Sequence, residues 1–232
     1  MALLNNLSFY TFRASNYVSI IHSLICKREE FTKPLSDKLT LDIGIAEGEI
    51  SKLISNMLKV NIIGLDVNKN VLKKAPALLE RIVADAHFLP FRDASFDLVL
   101  IISTLEHLSK PNLCIKEVDR ILQMKGVCIL QLPNLQWFLE PHTKWPLMHM
   151  MPSFVSHIVK KHTNYNELNS DVTCKNVITW FTMRKLTNID RLKVNHGSKI
   201  FGLVPWPPAW FFLFEKDKSH SYPNLPENLV KA

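Results

Sequence analysis

Leu41-Asp42-Ile43-Gly44-Ile45-Ala46-Glu47-Gly48, residues 41–48, is the stretch that decides the fold. It closes a short apolar run, Leu39–Ile43, and opens a helix predicted over Glu47–Leu58 with Ile50, Leu53, Ile54 and Met57 inward. An apolar strand, a turn of small residues and a helix make the first unit of an α/β sheet. Ligands of open parallel sheets bind at the carboxyl ends of the strands, and a turn poor in Cβ atoms lets them reach the backbone. Dinucleotide binding asks for G-x-G-x-x-G there, with a pyrophosphate on the helix N-terminus. Here the spacing is G-x-A-x-G, Glu49 holds the place of the third glycine, and Glu47 and Glu49 would repel a pyrophosphate. The turn suits a ligand that lacks phosphate and tolerates acid.

Outward from this turn the pattern repeats. Val60–Leu65 is a second buried run ending at Asp66, and Asn68–Leu79 is a weaker helix interrupted near Pro76. Arg81–Ala84 is a short strand ending at Asp85, Phe96–Ile102 is almost wholly apolar, Pro111–Met124 is a helix with proline at its start, and Val127–Leu132 is a fifth strand. Continuous apolar strands separated by helices predict a parallel sheet covered on both faces. Upstream, Tyr10, Ala14, Tyr17, Ile20, Ile21, Leu24 and Ile25 form one helical stripe. Val18–Cys26 reads as part of that helix rather than a signal segment, because Lys27-Arg28-Glu29-Glu30 stands where a small-residue cleavage site belongs. Downstream, Leu135–Met151 has no clean period, Ser153–Lys161 and Asn176–Leu186 look helical, and Arg191–His196 and Ala209–Glu215 look like strands. The last two, joined by Gly197–Pro208, are expected to make an antiparallel edge. The fold class is therefore α/β: a Rossmann-like doubly wound sheet, mostly parallel, with an N-terminal helix and a small cap.

The chain has 232 residues, 47% hydrophobic and 21% charged, which fits one large domain and excludes wholesale disorder. Only 6 are glycine, where an average composition gives roughly 16, and four of them fall within residues 44–126. Lys+Arg exceed Asp+Glu by 28 to 21; residues 1–134 carry net +2 and residues 135–232 net +5, so the excess lies mostly outside the sheet-building half. Cys26, Cys114, Cys128 and Cys174 are far apart, which argues against a zinc ribbon, a thiol-redox motif or a disulfide scaffold. A reducing, cytoplasmic setting is expected, and no apolar run approaches the ~20 residues of a membrane span.

Asp42, Asp66 and Asp85 stand at three successive strand ends. An acid at the end of the second strand accepts from ribose hydroxyls in this layout, and one at the third can accept from an adenine amino group. With them, Leu39–Asn134 resembles a class I S-adenosylmethionine-dependent methyltransferase of the broad family that includes ubiquinone-biosynthesis methyltransferases. The resemblance rests on LDIGIAEG at 41–48, GLDV at 64–67, ADAHFLPF at 84–91, DASFDLVLI at 93–101, LEHL at 105–108 and EVDRILQMKG at 117–126. It implies S-adenosylmethionine as cofactor, with Asp42 and Gly44 at its methionine end and Gly48 allowing close helix packing. It also implies Asp66 on the ribose, Val67 against the adenine, Asp85 and Ala86 on the adenine edge, and Ser103 facing the methyl. Ala46, in the same turn, departs from the family, which usually has glycine there. The implied division is 1–37, an N-terminal helical segment; 38–134, the cofactor-binding core; and 135–232, an acceptor cap and strands completing the same domain.

A hydroxyl acceptor also needs a base, and His107, Glu140 and His142 are the candidates. Some ubiquinone-pathway O-methyltransferases carry Glu-x-x-Glu-His, which binds a divalent metal; here Ser103 replaces the first acid, so no metal is expected. No Asn-Pro-Pro-Tyr-like tetrapeptide follows the fourth strand, which disfavours an amino group on a nucleobase. The expected acceptor is a small molecule, lipid precursor or glycan, methylated at O or C. The basic residues between Lys144 and Lys193, with Trp137, Phe138, Trp145, Met148, Met150, Met151 and the aromatic run Trp206–Phe214, suit either the core of the cap or peripheral contact with a membrane surface; no nucleic acid is expected. A nicotinamide-dependent oxidoreductase is disfavoured by the missing glycine and Glu49. A non-catalytic cofactor-binding or interaction protein of the same fold is the alternative.

Overall fold

A computed structural model describes residues 15–26, 28, 35–77, 79–133, 154, 172–184, 186–194, 199–200, 204–205 and 209–216. Residues 15–25 form helix α1. Strands β1 (Leu39–Ile43), β2 (Asn61–Asp66), β3 (Glu80–Val83), β4 (Phe96–Ile102) and β5 (Leu122–Pro133) follow, with helices α2 (Glu49–Leu58), α3 (Lys69–Leu72) and α4 (Pro111–Ile121) between them. Then come α5 (Cys174–Thr182), β6 (Leu186–Val194), the short β7 (Lys199–Ile200) and β8 (Val204–Pro205), and β9 (Ala209–Lys216). The main sheet has the order β3-β2-β1-β4-β5-β9-β6. β1 to β5 pair in parallel, and β9 runs antiparallel to both β5 and β6. The expected late antiparallel pair therefore forms, with β9 inserted next to β5 and β6 outermost. The chain starts at β1, winds out to β3, then returns past β1 to β4, so the winding reverses between β1 and β4.

Strand alternation sorts the core. Leu98, Leu100 and Ile102 of β4 pack with Val18, Ile21 and Leu24 of α1 and Ile54 of α2. Val99 and Ile101 point to the other face, against Ile115 and Val118 of α4 and Phe181 of α5. Both faces are covered, as the unbroken apolar strands require. β9 follows the same rule: Phe211 meets Tyr17 edge-on at 5.0 Å, while Phe214 stacks on Phe181 at 3.9 Å. Phe211, Phe212 and Phe214 are buried, so this part of the C-terminal aromatic run is core and offers no membrane-facing surface.

Several boundaries differ from the sequence reading, each for a local reason. In α2 the buried stripe is Ser51, Ile54 and Leu58; Met57, expected inward, is 54% exposed, because Leu58, four residues after Ile54, takes the inward place. The helix expected over 68–79 is one turn, capped by the Asn68 side chain, which accepts from Asn70 and Val71 N–H. Pro76 has no N–H to extend it and restricts residue 75. α4 stops at Ile121 because Leu122 already pairs with Phe96 in the sheet. α5 begins earlier than expected, where Thr173 accepts from the Asn176 N–H at 3.2 Å.

Candidate functional site

The turn after β1 is built from left-handed residues. Gly44 has φ +78, and a Cβ there would overlap the Thr104 side chain, so the turn and the end of β4 close on each other only because residue 44 is glycine. Gly48, φ +73, caps α2 with Ala75, Pro76 and Leu79 about to touch any Cβ; it serves the expected close packing and does not line the cleft. Ala46 also has positive φ, 49, in the region where a Cβ costs about 1–2 kcal/mol. Its N–H donates to Asp66 Oδ2 at 3.0 Å, which holds the turn against the end of β2.

Asp42 is not on the cleft wall, contrary to its expected place at the methionine end. It is buried beneath the turn and accepts from Ser51 Oγ at 2.6 Å, tying β1 to α2. Burial pushes its carboxyl up to about 7, against the opposing effect of the Ser51 hydrogen bond.

The cleft lies at the carboxyl ends of β1 to β4, at the switch point, with a volume of about 580 Å³. Gly44, Ala46, Asp66 and Val67 line it from β1 and β2, Asp85 and Ala86 from β3, and Ser103 and His107 from β4. Asp66 accepts the N–H of Ala46 and that of Asn68, the latter at 2.8 Å. Val67 stands out at its rim, 71% exposed. The backbone N–H of His87 donates to Asp85 Oδ1 at 2.9 Å and does most to hold that carboxyl below its usual range. Ser103 is left-handed, φ 50, and its hydroxyl donates to Gln131 Oε1 on β5. Backbone strain of this kind, about 1–3 kcal/mol per residue, concentrates at functional sites, and Ala46 and Ser103 carry it on opposite walls. His107 sits in a single 3-10 turn, Leu105–His107. Glu140 and His142 lie outside the described residues.

Residues 85–91 are held from α4. The Arg120 guanidinium donates to the carbonyls of Leu89 at 2.9 Å and Phe91 at 2.7 Å and to Asp93 at 2.8 Å. Glu117 accepts from Arg120 at 2.7 Å and from the Leu89 N–H at 2.9 Å; Arg120 holds its carboxyl below the usual range. Sequence reasoning singled out neither this anchor nor His87, Thr104 and Ser109, which also line the cleft. For His87 there was a signal: Asp followed two residues on by a free N–H is the spacing of an Asx turn. Thr104 and Ser109 carried none, since their place depends on how the loop after β4 folds over the turn.

The comparisons agree with this geometry. Residues 41–130 match the family model described as a methyltransferase domain. An uncharacterised protein of Methanocaldococcus jannaschii is 34% identical over 171 residues, 71% of this chain and 78% of that one. A demethylmenaquinone methyltransferase of Thermotoga maritima is 32% identical over 120 residues, 50% of each chain. A solved S-adenosylmethionine-dependent methyltransferase of Methanosarcina mazei superposes with TM-score 0.61 at 19% identity, covering 82% of this chain and 98% of that one. Against several of its curated relatives the chain spans about half of the relative's length. The matched segment is the one that builds the cleft: residues 41–130 belong to the methyltransferase-domain family, on the fold of that solved S-adenosylmethionine-dependent methyltransferase.

Proposed function

We propose that the chain binds S-adenosylmethionine in the switch-point cleft and transfers its methyl group to oxygen or carbon of a small-molecule, lipid-precursor or glycan acceptor. The observation that carries this reading is the chemistry of the wall: Asp66, Asp85, His87 and His107 line it, with no lysine or arginine among the described residues that line it. A pyrophosphate would meet acid without a cation, whereas a ligand bearing a sulfonium and an α-ammonium is matched. The groups fit the cofactor. Asp66 accepts two backbone bonds and keeps lone pairs for ribose hydroxyls. Val67 and Ala86 offer apolar surface to the adenine, and Asp85 an acceptor to its amino group. Gly44 presents bare backbone to the methionine end, where Asp42 acts only by supporting the turn.

When bound, S-adenosylmethionine supplies a methyl already activated on sulfur. The chain has to align an acceptor in line with that sulfur and, for a hydroxyl, to remove its proton. His107 on the cleft wall is the candidate base, one imidazole nitrogen receiving that proton; Glu140 and His142 stand in the same proposed role. The excess of basic residues between Lys144 and Lys193 favours an acceptor that is itself anionic or linked to a lipid headgroup.

Calorimetry with S-adenosylmethionine, S-adenosylhomocysteine and NAD tests the cofactor. The first two are expected to bind and NAD is not; NAD binding alone would overturn the reading. Asp66→Ala is expected to weaken S-adenosylmethionine binding by about 1–3 kcal/mol, and an unchanged Kd in the folded variant would remove Asp66 from the site. Labelled-methyl transfer into fractionated extract then identifies the acceptor, and binding without transfer to any fraction would favour a non-catalytic cofactor-binding protein.

A further inference from the structure

His87 has no part in the reaction as described, yet it joins two walls of the cleft. Its Nδ1 lies 2.6 Å from Asp85 Oδ1. Its Nε2 accepts the backbone N–H of Lys110 at 3.2 Å and lies 3.5 Å from Ser109 Oγ. A ring nitrogen that accepts from a backbone N–H carries no hydrogen, so the imidazole is neutral and its one N–H is on Nδ1, directed at Asp85. Both hydrogen bonds from residue 87 to the carboxylate end on Oδ1, which leaves Oδ2 for a ligand. The Arg120 and Glu117 contacts already anchor Leu89 and Phe91 to α4, so the course of this loop does not depend on His87 alone.

We propose that His87 is a positioning residue for recognition of the base: its neutral imidazole fixes the Asp85 carboxylate toward the exocyclic amino group of adenine and latches the end of β3 to the loop before α4. The proposal rests on the reading that the cleft takes S-adenosylmethionine. An adenine amino group donates to a carboxylate. Hypoxanthine has oxygen at that position and sets acceptor against acceptor. A carboxylate held in place enforces the difference, and one free to rotate can turn away and lose it.

The test is calorimetric titration of the full chain with S-adenosylhomocysteine and with its hypoxanthine counterpart, S-inosylhomocysteine. Wild type, His87→Ala, His87→Asn and His87→Gln are compared, each first checked by thermal melting. The asparagine Nδ2 stands in for the histidine Nδ1 and keeps the bond to Asp85. The glutamine Oε1 stands in for Nε2 and keeps only the bond from Lys110. Wild type should prefer the adenine ligand by at least about tenfold, the worth of one hydrogen bond to a charged group. His87→Ala and His87→Gln should lose most of that preference and His87→Asn should restore it. A role in loop packing alone would move all variants together and leave the preference intact. Equal preference in wild type, His87→Gln and His87→Asn overturns the proposal, even if His87→Ala fails to fold, and so does a wild type that does not distinguish the two bases. Failure of wild type to bind S-adenosylhomocysteine at all instead overturns the reading of the cleft, and this proposal with it.

Discussion

Replacing Gly44 by alanine should damage this protein in two separable ways. The backbone there has φ +78, which costs an L-residue with a Cβ about 1–2 kcal/mol. The new methyl would also overlap Oγ1, Cγ2 and Cβ of Thr104, and overpacking of that kind costs about 1–3 kcal/mol. Gly44→Ala should therefore lose about 2–5 kcal/mol in all, a large part of the stability of a domain of this size. Only the overlap depends on Thr104. In a Thr104→Gly background the same substitution should cost no more than the backbone part, leaving a coupling of about 1–3 kcal/mol between the two sites. Urea unfolding of the four proteins of this cycle, read at constant m-value, measures both. Strict additivity would show that the turn and the end of β4 do not press on each other, and would refute the assignment of Gly44 as the residue that lets them close.

Two further outcomes follow from the same turn. Ala46, left-handed and exposed, has open space for its methyl but not the backbone freedom, so Ala46→Gly should raise the urea midpoint by up to about 1 kcal/mol of stability; a loss instead would mean that the methyl is packed. Asp42 should make stability fall with rising pH: its folded value, about 7, lies above the ordinary 3.8, so the native state keeps a proton that the unfolded chain releases in that window. The contribution is complete below the unfolded value and lost as pH rises through the folded one. Asp42→Asn keeps an oxygen for Ser51 and does not titrate, so its stability relative to wild type should rise by up to about 4 kcal/mol between about pH 4 and pH 8; the same difference at both pH values would contradict burial of the charged carboxyl.

Most of the sheet was legible because its strands are buried on both faces. Leu39–Ile43 and Phe96–Ile102 are mostly apolar, interrupted only by Thr40 and Asp42 in the first and Asp97 in the second, and both are observed with the boundaries read from sequence. Element ends were less legible where a tertiary partner competes with propensity. Leu122 is an acceptable helix residue and becomes strand because Phe96 lies beside it, and Met57 lost the inward place to Leu58.

The site divides in the same way. Its acids, glycines and small turn are local features, and the sequence alone placed Asp66, Asp85, Gly44 and Ser103 at strand ends that meet at one sheet edge. Glu47 and Glu49, whose charge in the sequence speaks against phosphate, are not among the described residues lining the cleft, and Glu47 is paired with Lys74 at 2.8 Å. Tertiary structure decided which groups face the ligand. Asp42 occupies a strand end like the others, but α2 packs over it and Ser51 reaches it, so it supports the turn and does not line the cleft. The Asp85–His87 spacing was legible as an Asx turn, but the partner of the His87 Nε2 is the N–H of Lys110, which only the fold of the next loop brings to it. A residue type and a spacing state what a side chain can bond. Which bond it makes depends on partners far away in the chain, and only packing sets those distances.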